Sequence, residues 1–188
     1  ARGRALSGPR PKAARAAAER SPIRAFISAG LCGALDPALD LGQIVVASEV
    51  AETGPAGRLF SASPAATSAP HRQGAVACSP RVITTPAEKA ALRASGAIAV
   101  EMEAAGVAEA AASVQAPFYC IKGVSDTAEE ELPLDFNRYR DPGGRFAPGR
   151  IAAAALLRPH RLPSLAHLAR ASRQASVNLG DFLASCHF

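Results

Sequence analysis

Two short segments of the sequence carry side chains with the types and spacing for chemistry. Ala99-Val100-Glu101-Met102-Glu103-Ala104-Ala105-Gly106 sets two carboxylates between an apolar run and an Ala-rich one, and Lys122-Gly123-Val124-Ser125-Asp126 ends a second apolar run on a carboxylate. A carboxylate accepts hydrogen bonds from two adjacent hydroxyls, more strongly than a neutral acceptor does, which suits Glu103 to a sugar. The same residue would equally favour the first turn of a helix by its charge alone. Asp126 is suited to donate a proton if burial lifts its pKa above the usual ~3.9. Its competing role is N-cap of the segment that begins at Thr127.

The elements around these segments read as alternating strands and helices. Pro11 to Arg20 is Ala-rich and predicts a short helix, and Ile23 to Ser28 a buried strand that runs into Ala29 to Ala34, where Gly30 and Gly33 let backbone pass close to other groups; Asp36-Pro37 begins a turn. Gln43 to Val50 is a β-branched run. Ala51 to Gly74 reads as a long surface loop with one short strand at Leu59-Phe60, and Val76 to Cys78 and Arg81 to Thr84 read as short strands. Thr85-Pro86-Ala87-Glu88 is a helix start, with Thr85 as N-cap, Pro86 at the first helical position and Glu88 three residues after the cap. Ala97 to Val100 and Pro117 to Val124 read as strands and Glu103 to Val114 as a helix. Both carboxylate segments therefore fall where strands end, the edge at which open α/β sheets bind ligands. From Arg150 to Phe188 the pattern is helical, with a break expected at Pro159 and Pro163. The expected architecture is a three-layer α/β/α sandwich in one domain, with a mixed, largely parallel twisted sheet and a C-terminal helical segment from residue 150.

Composition narrows the function. With 188 residues, 48% hydrophobic and 20% charged, the chain has the make-up of a globular domain. Its apolar runs, such as Ile151 to Leu157, fall short of the ~20 residues that span a bilayer. The net charge of +5 is spread without a Lys/Arg-rich run or an aromatic platform, so nucleic acid is not an expected partner. Cys32, Cys78, Cys120 and Cys186 form no CxxC pair and His71, His160, His167 and His187 have no metal-ligand spacing, so neither a metal nor a disulfide framework is expected. Free thiols agree with a cytoplasmic protein. Arg72, Arg81, Lys122 and Arg145 read as solvated surface charges rather than phosphate ligands.

Three strings in order also resemble one family. Phe26-Ile27-Ser28-Ala29-Gly30-Leu31-Cys32-Gly33-Ala34-Leu35 followed by Gly42-Gln43-Ile44-Val45-Val46 is similar to the Gly-rich segment and G-D-I-V-V strand of nucleoside phosphorylases and methylthioadenosine/adenosylhomocysteine nucleosidases. Val100-Glu101-Met102-Glu103-Ala104-Ala105 resembles their V-E-M-E-A motif, and Val124-Ser125-Asp126 their S-D motif. The resemblance implies cleavage of the N-glycosidic bond of a purine nucleoside of adenine type. Asp126 would protonate N7 of the base with Ser125 orienting it, and Glu103, Met102 and Glu101 would bind the ribose. Val82 and Ile83 would offer backbone groups and an apolar wall to the base, and Gly30 and Leu31 would lie near the nucleophile. No cofactor is implied beyond inorganic phosphate as a candidate co-substrate. Leu31 stands where the family usually has a small hydroxyl residue, and Gly8 to Ala13 resembles a family helix start that follows a first strand, so the chain is expected to begin after that strand.

Asp135-Phe136-Asn137, Leu156-Leu157-Arg158-Pro159 and Asn178-Leu179-Gly180-Asp181-Phe182-Leu183 resemble the hopanoid-associated phosphorylases, which implies an adenosylated lipid such as adenosylhopane and leaves peripheral membrane contact open. The family implies a homo-oligomer. Two alternatives stay open at this level: water against phosphate as nucleophile, and a catalyst against a non-catalytic nucleoside-binding or interaction remnant.

Overall fold

The computed structural model describes residues 23–55, 57–140 and 147–188; the expected helix at Pro11 to Arg20, and Arg145, lie outside them. The strands are β1 (Phe26–Ala34), β2 (Ile44–Glu52), β3 (Leu59–Ser61), β4 (Arg72–Cys78), β5 (Ala99–Glu101) and β6 (Phe118–Asp126). The helices are α1 (Pro86–Arg93), α2 (Ala104–Ser113), α3 (Pro148–Leu156) and α4 (Leu162–Ala184), with 3-10 turns at Phe136–Tyr139 and Pro159–Arg161. The sheet is mixed, in the order β3-β2-β4-β5-β1-β6. Its two longest ladders, β1 with β6 and β2 with β4, are parallel, and the short ones of β1 with β5 and β2 with β3 are antiparallel. An antiparallel pairing of Ile44–Val46 with Ile121–Gly123 then joins β2 to β6 and closes the sheet into a ring, which the sequence pattern did not indicate.

The period-2 alternation of strands distributes the core to two faces. Val45 and Ala47 of β2, with Val76 and Ala99, pack in the cluster that holds Ala104, Ala105, Ala108 and Ala111 of α2. Ile44, Val46 and Ile121 turn the other way, onto Leu179 and Phe182 of α4. Ala77 and Val100 share that second side with Ile83 and Leu92 of α1. The layers are therefore α2, sheet, and α1 with α4. Alanines let α2 approach the sheet closely, and Gly123 does the same for α4, since a Cβ there would stand 2.7 Å from the Ala175 carbonyl.

β1 runs on through Gly30 and Gly33 to Ala34, with an irregularity between Cys32 and Gly33, and the turn follows at Asp36-Pro37 as expected. Two elements differ from the sequence reading. Arg81–Thr84 is irregular rather than a strand, because Pro80 interrupts the chain after β4 and side chains, not a ladder, bond the backbone of Arg81 and Val82 and the Thr84 N–H. Pro163 does not break the tail: it lies in the first turn of α4, where its missing N–H costs nothing, and the break falls just before it. The helix start at Thr85 is as expected, with a complete capping box between Thr85 and Glu88.

Candidate active site

Gly33 is the hub of the site. On one side it pairs with Val100 of β5, antiparallel, and on the other with Asp126 of β6, parallel. The carboxyl ends of β5 and β6 thus arrive from opposite directions and meet level with Gly33, instead of lining one edge of a parallel sheet. The glycine is required by close approach: a Cβ on it would lie 2.8 Å from Asp126 Oδ2.

Asp126 is buried, and both its oxygens are held by side chains. Lys89 Nζ donates to Oδ2 at 2.6 Å, and Ser125 Oγ lies 2.8 Å from Oδ1. Asp126 does not act as N-cap for the turn that follows; the Thr127 N–H donates to Glu130 Oε2 instead. Ser125 Oγ has a second partner, the Cys32 carbonyl at 3.1 Å, but a hydroxyl has one proton. With Asp126 ionised, Ser125 donates to Oδ1. With a proton on Oδ1, that O–H donates to Ser125 Oγ, which turns its own proton to Cys32. The serine therefore accommodates both forms of the acid without moving.

Glu101 sits beneath this point in a different state. Its carboxylate accepts from the N–H groups of Glu103 and Ala104 at 2.9 Å and from Lys122 Nζ at 2.9 Å. Lys122, read from sequence as a surface charge, is instead buried in β6 and also donates to Ser28 Oγ at 2.9 Å. Burial disfavours its ammonium, but Glu101 outweighs that and holds it above the ordinary lysine range. Glu101 is thus the cap of α2. Glu103 occupies the N-cap position yet makes no side-chain capping bond, and its side chain is exposed, with Met102 half-buried beside it. The helix-capping role weighed for Glu103 belongs to Glu101.

Val82 and Ile83 lie on the segment leading into α1. Both backbone groups of Val82 are taken by Asn137: the Val82 N–H donates to Oδ1 at 2.8 Å, and Nδ2 donates to the Val82 carbonyl at 2.9 Å. Among the described residues Ile83's backbone groups enter no hydrogen bond, and its side chain lines a hollow of about 320 Å³ with Ser79, Arg81 and Leu92. Asp126 and Glu103 do not line that hollow. Gly30 and Leu31 lie on β1 opposite Lys122 and Gly123, with Leu31 exposed. The thiols of Cys32, Cys78 and Cys120 are pushed up by burial, that of Cys120 to about 12, and none is a candidate nucleophile.

The residue that sequence reasoning missed is Lys89. It is fully buried and uses its three protons on Asp126 Oδ2, the Thr127 carbonyl at 2.5 Å and the Glu130 carbonyl at 3.1 Å. The available signal was phase: the Thr85 cap fixes the register of α1, and Lys89 then falls three residues before Leu92, on the stripe that faces the sheet. Glu130 ties the same loop to the tail through His167 Nε2, 3.0 Å from its carboxylate.

A family model described as the phosphorylase superfamily matches residues 56–156. Among solved structures, the fold is similar to the 5'-methylthioadenosine/S-adenosyl homocysteine nucleosidase of Campylobacter jejuni, at 22% identity and a TM-score of 0.56 over 68% of this chain and 67% of that one. It is also similar to an aspartate-to-asparagine mutant of the Helicobacter pylori enzyme with 5'-methylthioadenosine in its active site, at 17% identity and 0.57 over 69% and 67%. The S-adenosylhomocysteine nucleosidase of Streptococcus pyogenes, in complex with 5-methylthiotubericidin, matches at 20% identity and 0.55 over 63% and 61%. The chain spans about two thirds of the length of these structures.

Proposed function

We propose, from the premise that this chain belongs to the phosphorylase superfamily, that it cleaves the N-glycosidic bond of an adenine-type nucleoside. The observation that carries this reading is the meeting of two distant carboxylate segments at one glycine: Glu101-Met102-Glu103 follows Val100, and Ser125-Asp126 ends β6, both against Gly33. Asp126 is the general acid. As the C1'–N9 bond breaks and its electron pair moves onto the base, a proton passes from Asp126 to N7, and the base leaves neutral. Glu103 accepts from the ribose hydroxyls. Glu101 touches no substrate; it fixes the start of α2, and so Met102 and Glu103. Ile83, rather than the occupied Val82, presents its peptide and side chain to the base.

The substrate's 5' group is the finer part of the proposal. α3 buries none of its residues, and Leu156 and Leu157 are 76% and 83% exposed beside Arg158, whereas α4 buries Ala171, Ala175, Leu179 and Phe182. An apolar pair flanked by arginines suits a lipid-linked adenosine, such as adenosylhopane, delivered at a membrane surface. Co-sedimentation with anionic liposomes at low salt, lost in Leu156→Asp/Leu157→Asp, is the expected result; no sedimentation removes the lipid-linked substrate. The activity itself is tested by chromatography of products from adenosine and a 5'-substituted adenosine, with and without phosphate. Free adenine with ribose marks water as nucleophile, and adenine only with phosphate, alongside ribose 1-phosphate, marks a phosphorylase. No adenine from any adenine nucleoside, lipid-linked ones included, rejects the activity.

A further inference from the structure

Burying a lysine completely is costly unless its charge and all its protons find partners. Lys89 meets that condition only at the mouth of the candidate acid: one proton goes to Asp126 Oδ2 at 2.6 Å and the others to the Thr127 and Glu130 carbonyls just after it. Its helix is fixed in the same turn by a second set of contacts. Glu88, the adjacent residue, accepts from the Thr84 and Thr85 N–H groups and pairs with Arg81 at 2.6 Å. One turn of α1 therefore sets both the segment carrying Ile83 and the orientation of Asp126.

The consequence concerns which oxygen of Asp126 can carry a proton. Oδ2 faces an ammonium, which only donates, and it lies where even a Cβ on Gly33 would stand at 2.8 Å. Oδ1 faces Ser125 Oγ, a group that accepts as readily as it donates and has the Cys32 carbonyl as its alternative acceptor. We infer that Lys89 is a positioning residue for the acid: it pins Oδ2 and so confines the transferable proton to Oδ1. This rests on the glycosidic-cleavage reading above. In the step itself the Oδ1–H bond breaks, the proton joins N7, and the electrons of the C1'–N9 bond go to the leaving base. Asp126 is left as a carboxylate, Ser125 turns its O–H from Cys32 to Oδ1, and a solvent proton later restores the acid.

The test compares two leaving groups. A purine needs a proton to depart, whereas the nitrophenolate of a p-nitrophenyl riboside does not. For Lys89→Met we expect kcat on the purine nucleoside to fall by ~100-fold, the scale of a lost general acid, with KM within a factor of a few, and kcat on the nitrophenyl riboside to fall far less. Equal losses on both substrates, or no loss on either, overturn the inference, since a merely structural lysine would not distinguish leaving groups. Lys89→Gln, which keeps a donor toward Oδ2 without the charge, should retain most of the purine activity that Lys89→Met loses; an equal purine-selective loss in both variants would place the role in the charge rather than in the pinning of Oδ2. A parent protein that cleaves neither substrate refutes the activity instead, and melting temperatures then decide the role of Lys89. Lys89→Met and Asp126→Asn combined should lower Tm by less than the sum of the two single changes, and simple additivity overturns the coupling.

Discussion

Among the described residues two lysine–carboxylate pairs are buried, one at the end of β5 and one at the end of β6, and they are built differently. Glu101 accepts from Lys122 and from two consecutive N–H groups at the start of α2, donors that cannot reverse. Asp126 accepts from Lys89 on one oxygen, while its other oxygen meets the Ser125 hydroxyl, which can reverse. The first pair can only hold a helix in place. The second can exist with or without a proton on Oδ1 and still be satisfied, which is what an acid–base group needs.

The largest expected effect sharpens that contrast. Lys122→Met leaves Glu101 buried with no counter-charge and should cost about 3–5 kcal/mol in urea unfolding. Removing both charges of the other pair, in Lys89→Met/Asp126→Asn, should cost less than Asp126→Asn alone, which strands the Lys89 ammonium. A Lys122→Met protein within about 1 kcal/mol of the parent would break the distinction.

A smaller effect separates Glu103 from Glu101. With capping assigned to Glu101, Glu103→Gln should weaken a ribonucleoside by about 1.5–3 kcal/mol relative to its 2'-deoxy analogue, through loss of charge-assisted hydrogen bonds. Calorimetry that finds equal weakening of both removes Glu103 from the ribose.

The smallest concerns the capping box of α1. Desolvation would raise Glu88, but the Thr84 and Thr85 N–H groups and the Arg81 guanidinium bring it down to about 2 from the ordinary 4.5. A carboxylate depressed in the folded state adds stability that is fully present above pH 4.5 and is lost as pH falls from there through 2. Glu88→Gln, which keeps a cap acceptor but not the charge toward Arg81 and the N–H groups, should therefore cost roughly 0.5–1 kcal/mol at neutral pH, and nothing once the parent carboxyl is protonated. A cost independent of pH would assign the effect to packing.

How much of this was legible in the sequence depended on distance along the chain. The capping box was readable because Thr85, Pro86 and Glu88 act within one helical turn. The two carboxylate segments were readable because each is a contiguous string at a strand end. Lys122 was misread because its pairing with Glu101 and Ser28 spans the sheet, and a lone lysine in a strand gives no local sign of burial. The occupation of Val82 by Asn137, 55 residues away, and the closure of the sheet through β2 and β6 likewise depend on tertiary pairing that no local period encodes. Lys89 lies between these cases, since its phase on α1 was available but its partner, 37 residues on, was not.

The most direct test is turnover of a purine nucleoside by Asp126→Asn, measured below its melting temperature and again in the Lys89→Met background, where no buried charge is stranded. Asparagine keeps the shape and a partner for Ser125 but has no acidic proton. Base release should fall by ~100-fold or more in both backgrounds relative to the parent, with the fold retained by circular dichroism. Turnover within a factor of a few of the parent in either variant would contradict the assignment of Asp126 as the acid.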